Sequence, residues 1–175
     1  MWQQQFFTLA AYNQWMNQRL YALCAALPEV DYHRDRGAFF GSLHGTLNHL
    51  LLADRIWLGR FTEQPYPAAS LDEEQYAQLA DLQMARELLD QQIINWIASL
   101  DDERIAGDFS YISVINPEPR QYPMWVVLTH FFNHQTHHRG QLTTLISQGG
   151  TDPGMTDLIH MPGLALANPE RQEES

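Results

Sequence analysis

The sequence predicts an all-α protein that folds as a four-helix bundle, and two features of the chain favour this fold. Four long segments carry apolar residues at three- and four-residue steps, which places them along one face of a helix. Proline or glycine residues mark several of the segment ends. Four long helices in 175 residues are typical of a bundle, and bundles hold metal sites between facing helices.

The apolar pattern predicts helices at residues 2–27, 41–61, 71–100 and 123–148. Pro28 ends the first of these segments. The second is apolar almost all round, so we expect it to be buried. Ser70 and Glu73 have the spacing of a capping box, which predicts the start of the third helix. Pro123 opens the fourth helix and Gly149 follows it.

The connections between these helices are rich in turn-forming residues. Residues 28–40 and 62–70 are predicted loops. Residues 107–122 contain an alternating β-rich stretch and an NPEP turn, which predicts a short β-hairpin or an irregular crossover. We expect one domain over residues 1–165, with a short helix at most near its end, and then a polar tail over 166–175.

Composition and charge narrow the class of protein. The apolar fraction is 45%, which is typical of a folded globular chain. The formal net charge of −11 disfavours binding to nucleic acid or to anionic membranes. The only cysteine, Cys24, cannot form an internal disulfide and is expected to be buried. With no signal peptide and no long apolar run, the chain is predicted to be cytoplasmic.

Two histidines four residues apart, His134 and His138, are the main functional signal. Residues at this spacing lie on one face of a helix with Cβ atoms about 5–6 Å apart, so both imidazoles can reach one metal ion. On a helical wheel they lie about 90° and 50° from the mean apolar direction, whereas His130 and His137 lie about 130° and 150° away. The alternative is a pair of histidines at the core edge, satisfied by hydrogen bonds alone.

A third histidine ligand is expected on the second helix, in the Asn-His pair at Asn48 and His49. That helix is too uniformly apolar to define one face, so periodicity alone does not choose between His49 and His44. These two lie about 140° apart around the helix and cannot serve the same ion.

Several polar residues are candidates for a supporting role around the ion. Asp54 falls within the apolar stripe of the second helix, where a buried carboxylate needs a partner. We expect Arg139 of the fourth helix to pair with it, the alternative being that Asp54 reaches solvent. Hydrogen bonds from neighbouring side chains orient metal-bound imidazoles, and Asn48, Asn133 and Gln141 are the amide candidates for this role.

Three segments together resemble the DinB family of the DinB/YfiT-like superfamily, over nearly the whole chain. They read YNQWMNQRL, RDRGAFFGSLHGTLNHLLLADRIWLGRF and HFFNHQTHHRGQLTTLISQ, and QGGTDPGMTDL then fits the family's C-terminal pattern. The resemblance implies an up-down-down-up bundle, a homodimer and a metal triad of His49, His134 and His138. The superfamily is similar to thiol-dependent S-transferases, and the motifs imply no DNA chemistry.

A three-histidine site leaves open positions on a divalent ion, as catalytic zinc sites do. Zinc or nickel is expected, with iron, copper and manganese as alternatives, because imidazole suits many of these ions. The ion would activate water or a low-molecular-weight thiol, so a metal-dependent transferase or hydrolase is predicted, with a small-molecule substrate. The alternative is a non-catalytic or stress-response protein with a structural metal. A zincin protease would need HExxH, and a di-iron bundle would need ExxH; the sequence has neither.

Overall fold

The computed structural model describes residues 1–113 and 118–164 of the chain. Its elements are α1 (Trp2–Ala25), α2 (Glu29–His33), α3 (Leu43–Phe61), α4 (Leu79–Ser99), α5 (Asp102–Ala106), β1 (Asp108–Ile112), β2 (Pro119–Pro123), α6 (Met124–Gln148) and a short 3₁₀ turn (Leu158–His160). The four long helices form a ring, in which α1 and α3 each pack against both α4 and α6. The predicted four-helix bundle is therefore confirmed.

The directions of α1 and α4 follow from their contacts. The side-chain amide of Gln3, near the start of α1, donates to the carbonyl oxygen of Ala98 at the end of α4. Further along α1, Asn17 donates to Asp90 in the middle of α4 at 3.0 Å. Later residues of α1 therefore meet earlier residues of α4, and the two helices are antiparallel.

The helix α3 runs parallel to α4. Asp54 in the middle of α3 pairs with Arg86 in the first half of α4, and Phe61 at the end of α3 stacks on Trp96 near the end of α4. Both positions advance together along the chain, so α3 and α4 point the same way.

The helix α6 runs parallel to α1 and completes the arrangement. Trp2 stacks on Trp125 at the start of both helices. Phe6, about one turn further along α1, stacks on Phe132, about two turns further along α6. Because α1 is antiparallel to α4 and α4 is parallel to α3, the order along the chain is up-down-down-up. This is the topology that the family resemblance implied.

The ends of α1 and α6 lie within two residues of the predicted bounds, but the connection between α1 and α3 differs from its prediction. Residues 28–40 contain the short helix α2, so His33 closes a helical turn instead of lying in a loop. The helix α3 starts at Leu43, because the hydroxyl oxygen of Ser42 accepts a hydrogen bond from the backbone N–H of Gly45 and caps the first turn.

The third long helix begins later than its capping box predicted. It starts at Leu79, and the capping-box assignment of Ser70 and Glu73 is wrong. The Glu73 carboxylate instead accepts from the backbone N–H of Ala69. Contacts to α3 hold the preceding residues in a non-helical path, and such tertiary contacts outweigh a local capping signal. We call residues 62–78 the crossover segment.

The short β-hairpin before α6 confirms one of the two predictions for residues 107–122. Its strands are antiparallel, with Asp108 opposite Pro123 at one end and Ile112 opposite Pro119 at the other. The buried Phe109 packs on Phe61 and joins the hairpin to the core. The first half of the predicted NPEP turn and the predicted polar tail lie outside the described residues.

A layer of buried polar side chains crosses the middle of the bundle. The guanidinium of Arg86 lies 2.7 Å from an oxygen of Asp54 and 2.9 Å from an oxygen of Asp90. Asn17 donates to Asp90, and Gln135 donates to Asp54. Each of the four long helices contributes to this layer, which fixes their relative positions because buried charges are costly unless they are paired.

The predicted pairing of Asp54 with Arg139 is wrong, although Asp54 is buried as expected. Arg139 donates to Asn13 and lies over the ring of Tyr12. Arg86 of α4 takes its place, because Arg139 is directed from α6 toward α1 and not toward α3. Burial raises the pKa of Asp54 to about 6, against the lowering effect of Arg86. The alternative of a solvated Asp54 is also wrong, since its side chain is 1% exposed.

Within the described residues, no helix is both long enough and apolar enough to cross a membrane.

Candidate metal centre

Three histidine side chains from two antiparallel helices meet at one point of the bundle. His49 lies on α3, and His134 and His138 lie on α6. The Nε2 atom of His134 is 3.4 Å from that of His49 and 3.2 Å from that of His138. One nitrogen from each ring lies within 4.8 Å of the others, so the three histidines form a group that could hold a metal ion.

Hydrogen bonds fix the tautomers of two of these rings. The Nδ1 atom of His49 lies 2.8 Å from the carbonyl oxygen of Leu71, and that of His138 lies 2.7 Å from Oε1 of Gln141. A carbonyl oxygen only accepts, so both Nδ1 atoms carry the proton. The neutral rings therefore present unprotonated Nε2 atoms to the cluster, which is the arrangement that metal-bound histidines adopt.

The two Nε2 distances from His134 fit a tetrahedral ion. Bonds of about 2.0–2.1 Å in tetrahedral geometry put two ligand nitrogens about 3.3 Å apart. The two distances from His134, 3.4 and 3.2 Å, lie on either side of this value. Without an ion, a proton on Nε2 of His134 could serve only one of two neighbouring lone pairs. A single cation satisfies all three nitrogens.

Electrostatics keep the cluster uncharged. Burial, together with the smaller effects of the neighbouring His138 and His49, lowers the pKa of His134 to about 3. Burial also lowers the pKa of His138 to about 4, although its hydrogen bond to Gln141 acts in the opposite direction. The pKa of His49 is lowered by burial as well. All three rings are neutral at pH 7, the form that binds a metal.

Phe40 covers one side of the cluster. Its ring stacks on His49, with ring centroids 3.8 Å apart and planes 18° apart. A tight turn places it there, with Gly37 and Gly41 at positive φ on either side. The Phe40 backbone also packs directly on Gly45 of α3, where a Cβ atom would overlap the Phe40 carbonyl oxygen. Glycine at this position therefore allows the turn to approach the helix.

The crossover segment covers another side of the cluster. Asn48 is its main anchor, because its Oδ1 accepts from the backbone N–H groups of Gln75 and Tyr76 at 2.8 and 2.9 Å. Its amide group also donates to the Tyr76 carbonyl oxygen. These bonds hold the segment against α3 and place the carbonyl oxygen of Leu71 on His49. Asn48 thus supports the cluster through the backbone and not by touching a ligand ring of the triad.

A cleft of about 650 Å³ opens from the cluster to solvent. Its floor contains His49 and His138, and three apolar side chains contribute to its walls: Phe39, Phe40 and Leu71. Two polar residues, Asp72 and His137, also line it. The cluster is therefore accessible from one side.

The remaining histidines of the central helices lie outside the cluster. His44 bonds to Glu74 at 2.7 Å and to the hydroxyl of Tyr32 at 3.1 Å, so the structure brings His49 and not His44 to the triad. His130 and His137 are exposed, in agreement with the helical wheel. Asn133 is exposed too.

Sequence reasoning missed three parts of the site. The stacked Phe40 had a weak signal, since two phenylalanines stand between glycines in GAFFG. The Leu71 carbonyl had none, because any residue supplies a backbone oxygen. Arg86 was overlooked because the pattern does not say which helices are neighbours.

The bundle with histidines on α3 and α6 defines a helical protein with a candidate three-histidine metal centre. The sequence matches the DinB family over residues 1–173, so the chain belongs to that family. It is similar to the Protein DinB of Bacillus subtilis (strain 168), with 27% identity over 166 residues that cover 86% of this chain and 90% of the relative.

Proposed function

We propose that the chain binds one divalent metal ion through His49, His134 and His138 and uses it in a nucleophilic transfer reaction, with a thiol as the leading nucleophile. The convergence of three histidine Nε2 atoms, at least two of them unprotonated, beside an open cleft carries this proposal. Zinc is the best match, because the nitrogen spacing fits tetrahedral bonds; nickel is the second choice.

A divalent ion in this position supplies a Lewis acid, which lowers the pKa of a thiol or water toward neutrality. The protein would hold the ion and orient the histidine rings that bind it. Leu71 and Gln141 fix the rings of His49 and His138, and the cleft admits the reactants from one side. No fourth histidine, cysteine or carboxylate joins the group among the described residues, which favours a catalytic over a closed structural site.

The proposed transfer needs no oxidant or reductant. The thiol gives its proton to water in the open cleft, and its sulfur forms a bond to an electrophilic carbon. The bond from that carbon to the leaving group breaks, and the leaving group keeps the electron pair. Alkyl halides, epoxides and activated double bonds are suitable electrophiles. With a double bond no group leaves: the π electron pair moves to the neighbouring carbon, which takes up a proton from water.

Metal analysis of purified variants tests the ligand assignment. We expect about one divalent ion per chain in the unmodified protein. His134→Ala and His138→Ala should lose most of it, whereas His137→Ala, a matched exposed histidine on the same helix, should retain it. Full metal retention by His134→Ala would overturn the assignment.

Turnover tests the chemistry. Metal-loaded protein should consume thiol and electrophile faster than His138→Ala, and a chelator should abolish the difference. If no thiol or water-dependent reaction exceeds the background of His138→Ala while the metal stays bound, the protein is a non-catalytic metal binder.

A further inference from the structure

The cleft above the histidine cluster has a chemical character that points to a class of substrate. Its walls contain the apolar side chains Phe39, Phe40 and Leu71, and its floor contains two rings of the cluster. Phe39 is 84% exposed although it is a large apolar residue, and it stands at the cleft. An exposed aromatic side chain at the edge of a pocket is suited to contact an apolar ligand.

The charge of the cleft is the second observation. Asp72 is its acidic residue, and a hydrogen bond from the Ser70 side chain lowers its pKa, so it is ionised at pH 7. Among the described residues that line the cleft there is no arginine, and the sequence contains no lysine. The chain as a whole carries a formal charge of −11, which adds to the repulsion of anions.

The arginines closest to the histidines in sequence have other contacts. Arg55 donates to Tyr66, Gln75 and Tyr76. Arg60 lies over the rings of Trp57 and Tyr111 at 4.5 and 4.7 Å.

Two further arginines, Arg139 and Arg36, also have other contacts. Arg139 is buried in the polar layer, where it donates to Asn13. Arg36 lines an adjoining groove, which shares His137 and Gln141 with the cleft, and it lies 3.9 Å from the carboxylate of Asp31. Apart from the metal ion itself, a negatively charged group in the cleft therefore meets Asp72 and neither an arginine nor a lysine among the residues that line the cleft.

We infer that the small molecule received by this cleft has an apolar, ring-sized body and carries no negative charge. This rests on the proposed function, since the cleft is taken as the approach to the metal. It selects against anionic thiols such as glutathione and in favour of neutral or cationic ones. Phe39 contacts the apolar body and Asp72 disfavours anions.

Cobalt-loaded protein offers a direct binding test, because a thiol that reaches the ion gives a sulfur-to-cobalt absorption band. Three probes with the same aromatic thiol body carry different charges: phenylmethanethiol, its para-aminomethyl derivative and its para-carboxylate. We expect the neutral and cationic probes to bind about tenfold more tightly than the carboxylate. Equal affinities for all three would overturn the inference.

Variants then separate the contributions of the two residues. Asp72→Asn should strengthen binding of the carboxylate by about threefold, since the charge is exposed and screened by solvent. Glu87→Gln, an exposed acid on α4, is the control and should change nothing. Phe39→Ala should weaken phenylmethanethiol by about fivefold and leave ethanethiol unchanged. If Arg36→Gln weakens the carboxylate instead, an anion subsite exists and the inference fails.

Failure of the proposed function gives a different result. If cobalt binds but no thiol produces the band, the thiol chemistry is wrong. The charge preference is then measured with 4-phenylimidazole and its para-carboxylate, through the ligand-field spectrum of the cobalt. Preference for the neutral compound would sustain the inference, and equal binding would overturn it. A protein that takes up no cobalt overturns both proposals.

Discussion

At the scale of single residues, the candidate centre depends on the protonation of three imidazoles. The Nδ1 protons of His49 and His138 are held by oxygen acceptors, and burial disfavours adding a second proton to either ring. Histidine in an unfolded chain has a pKa of about 6.5. The folded protein therefore excludes protons that the unfolded chain would bind between pH 6.5 and about 4.

This difference predicts the pH dependence of the metal-free protein. Because the folded pKa values are lowered, the unfolded state binds more protons in this window, and the stability contributed by the neutral rings is lost as the pH falls below about 6.5. Urea unfolding at pH 7 and pH 5 in a chelator measures it. His134→Gln should show a smaller loss between the two pH values than the unmodified chain, while His137→Gln should not. A loss in His134→Gln equal to that of the unmodified chain would contradict the pKa of about 3 at His134.

The buried polar layer makes a second prediction at this scale. Arg86→Met removes the guanidinium between Asp54 and Asp90 and leaves two buried carboxylates without a cation, which should cost about 3–5 kcal/mol of unfolding free energy. Asp54→Asn leaves Arg86 paired with Asp90 and should cost about 1–3 kcal/mol.

Chemical denaturation of these variants gives both values. Arg120→Gln, in which an exposed pair with Glu118 is removed, should cost about 0–1 kcal/mol and serves as the control. If Arg86→Met loses no more unfolding free energy than the control, the ion pairs of the layer do not stabilise the fold.

At the scale of elements, the crossover segment connects the fold to the centre. It is not helical, although a helical start was predicted within it at residue 71. Asn48 fixes it through backbone N–H groups, and Arg55 fixes it through Tyr66, Gln75 and Tyr76. The segment in turn provides the Leu71 carbonyl oxygen to His49 and the Asp72 carboxylate to the cleft.

Asn48→Ala should therefore weaken metal binding even though Asn48 is not expected to be a ligand. Loss of the partners that orient a metal-bound imidazole typically lowers affinity by about 10–100-fold. Competition with a chromogenic chelator measures the affinity, and Asn133→Ala, an exposed asparagine beside His134, is the matched control. Unchanged affinity in Asn48→Ala would show that the segment holds its place without this anchor.

At the scale of the whole molecule, the bundle has its own apolar core, so we expect it to fold without an ion. Buried apolar side chains come from all four long helices and from the hairpin. Metal bound only by the folded state should nevertheless add stability by mass action. We therefore expect a bound ion to add stability to a fold that already forms without it.

Chelation should accordingly lower the melting temperature while the helical circular dichroism at 25 °C stays unchanged. A ligand present at about 100 times its Kd adds about 2.7 kcal/mol, which is several degrees for a domain of this size. The His138→Ala variant should show no such response to chelator. Loss of the helical signal on chelation would make the ion structural and weaken the enzymatic proposal.

The homodimer implied by the family remains a prediction, which sedimentation at two concentrations can test.

From the sequence alone we could predict the number of long helices and the spacing that puts His134 and His138 on one face, and the short hairpin was one of two alternatives for residues 107–122. These are local properties, set by a helical repeat of about 3.6 residues and by proline and glycine at the ends. Periodicity could not choose between His49 and His44, because α3 is apolar on nearly every side. The family resemblance chose His49, and the structure places that ring in the cluster.

Only the tertiary structure decided which helices are neighbours. Packing pairs Asp54 with Arg86 of α4, because Arg139 of the other neighbouring helix, α6, is directed to Asn13 and Tyr12 of α1. It also overrode the capping box at Ser70, since hydrogen bonds from α3 hold residues 75 and 76 in a non-helical path. The role of a backbone group such as the Leu71 carbonyl cannot be predicted from the residue type, because every residue has one. Contacts between residues far apart in the chain depend on the packing of the whole bundle, and a local pattern contains no information about them.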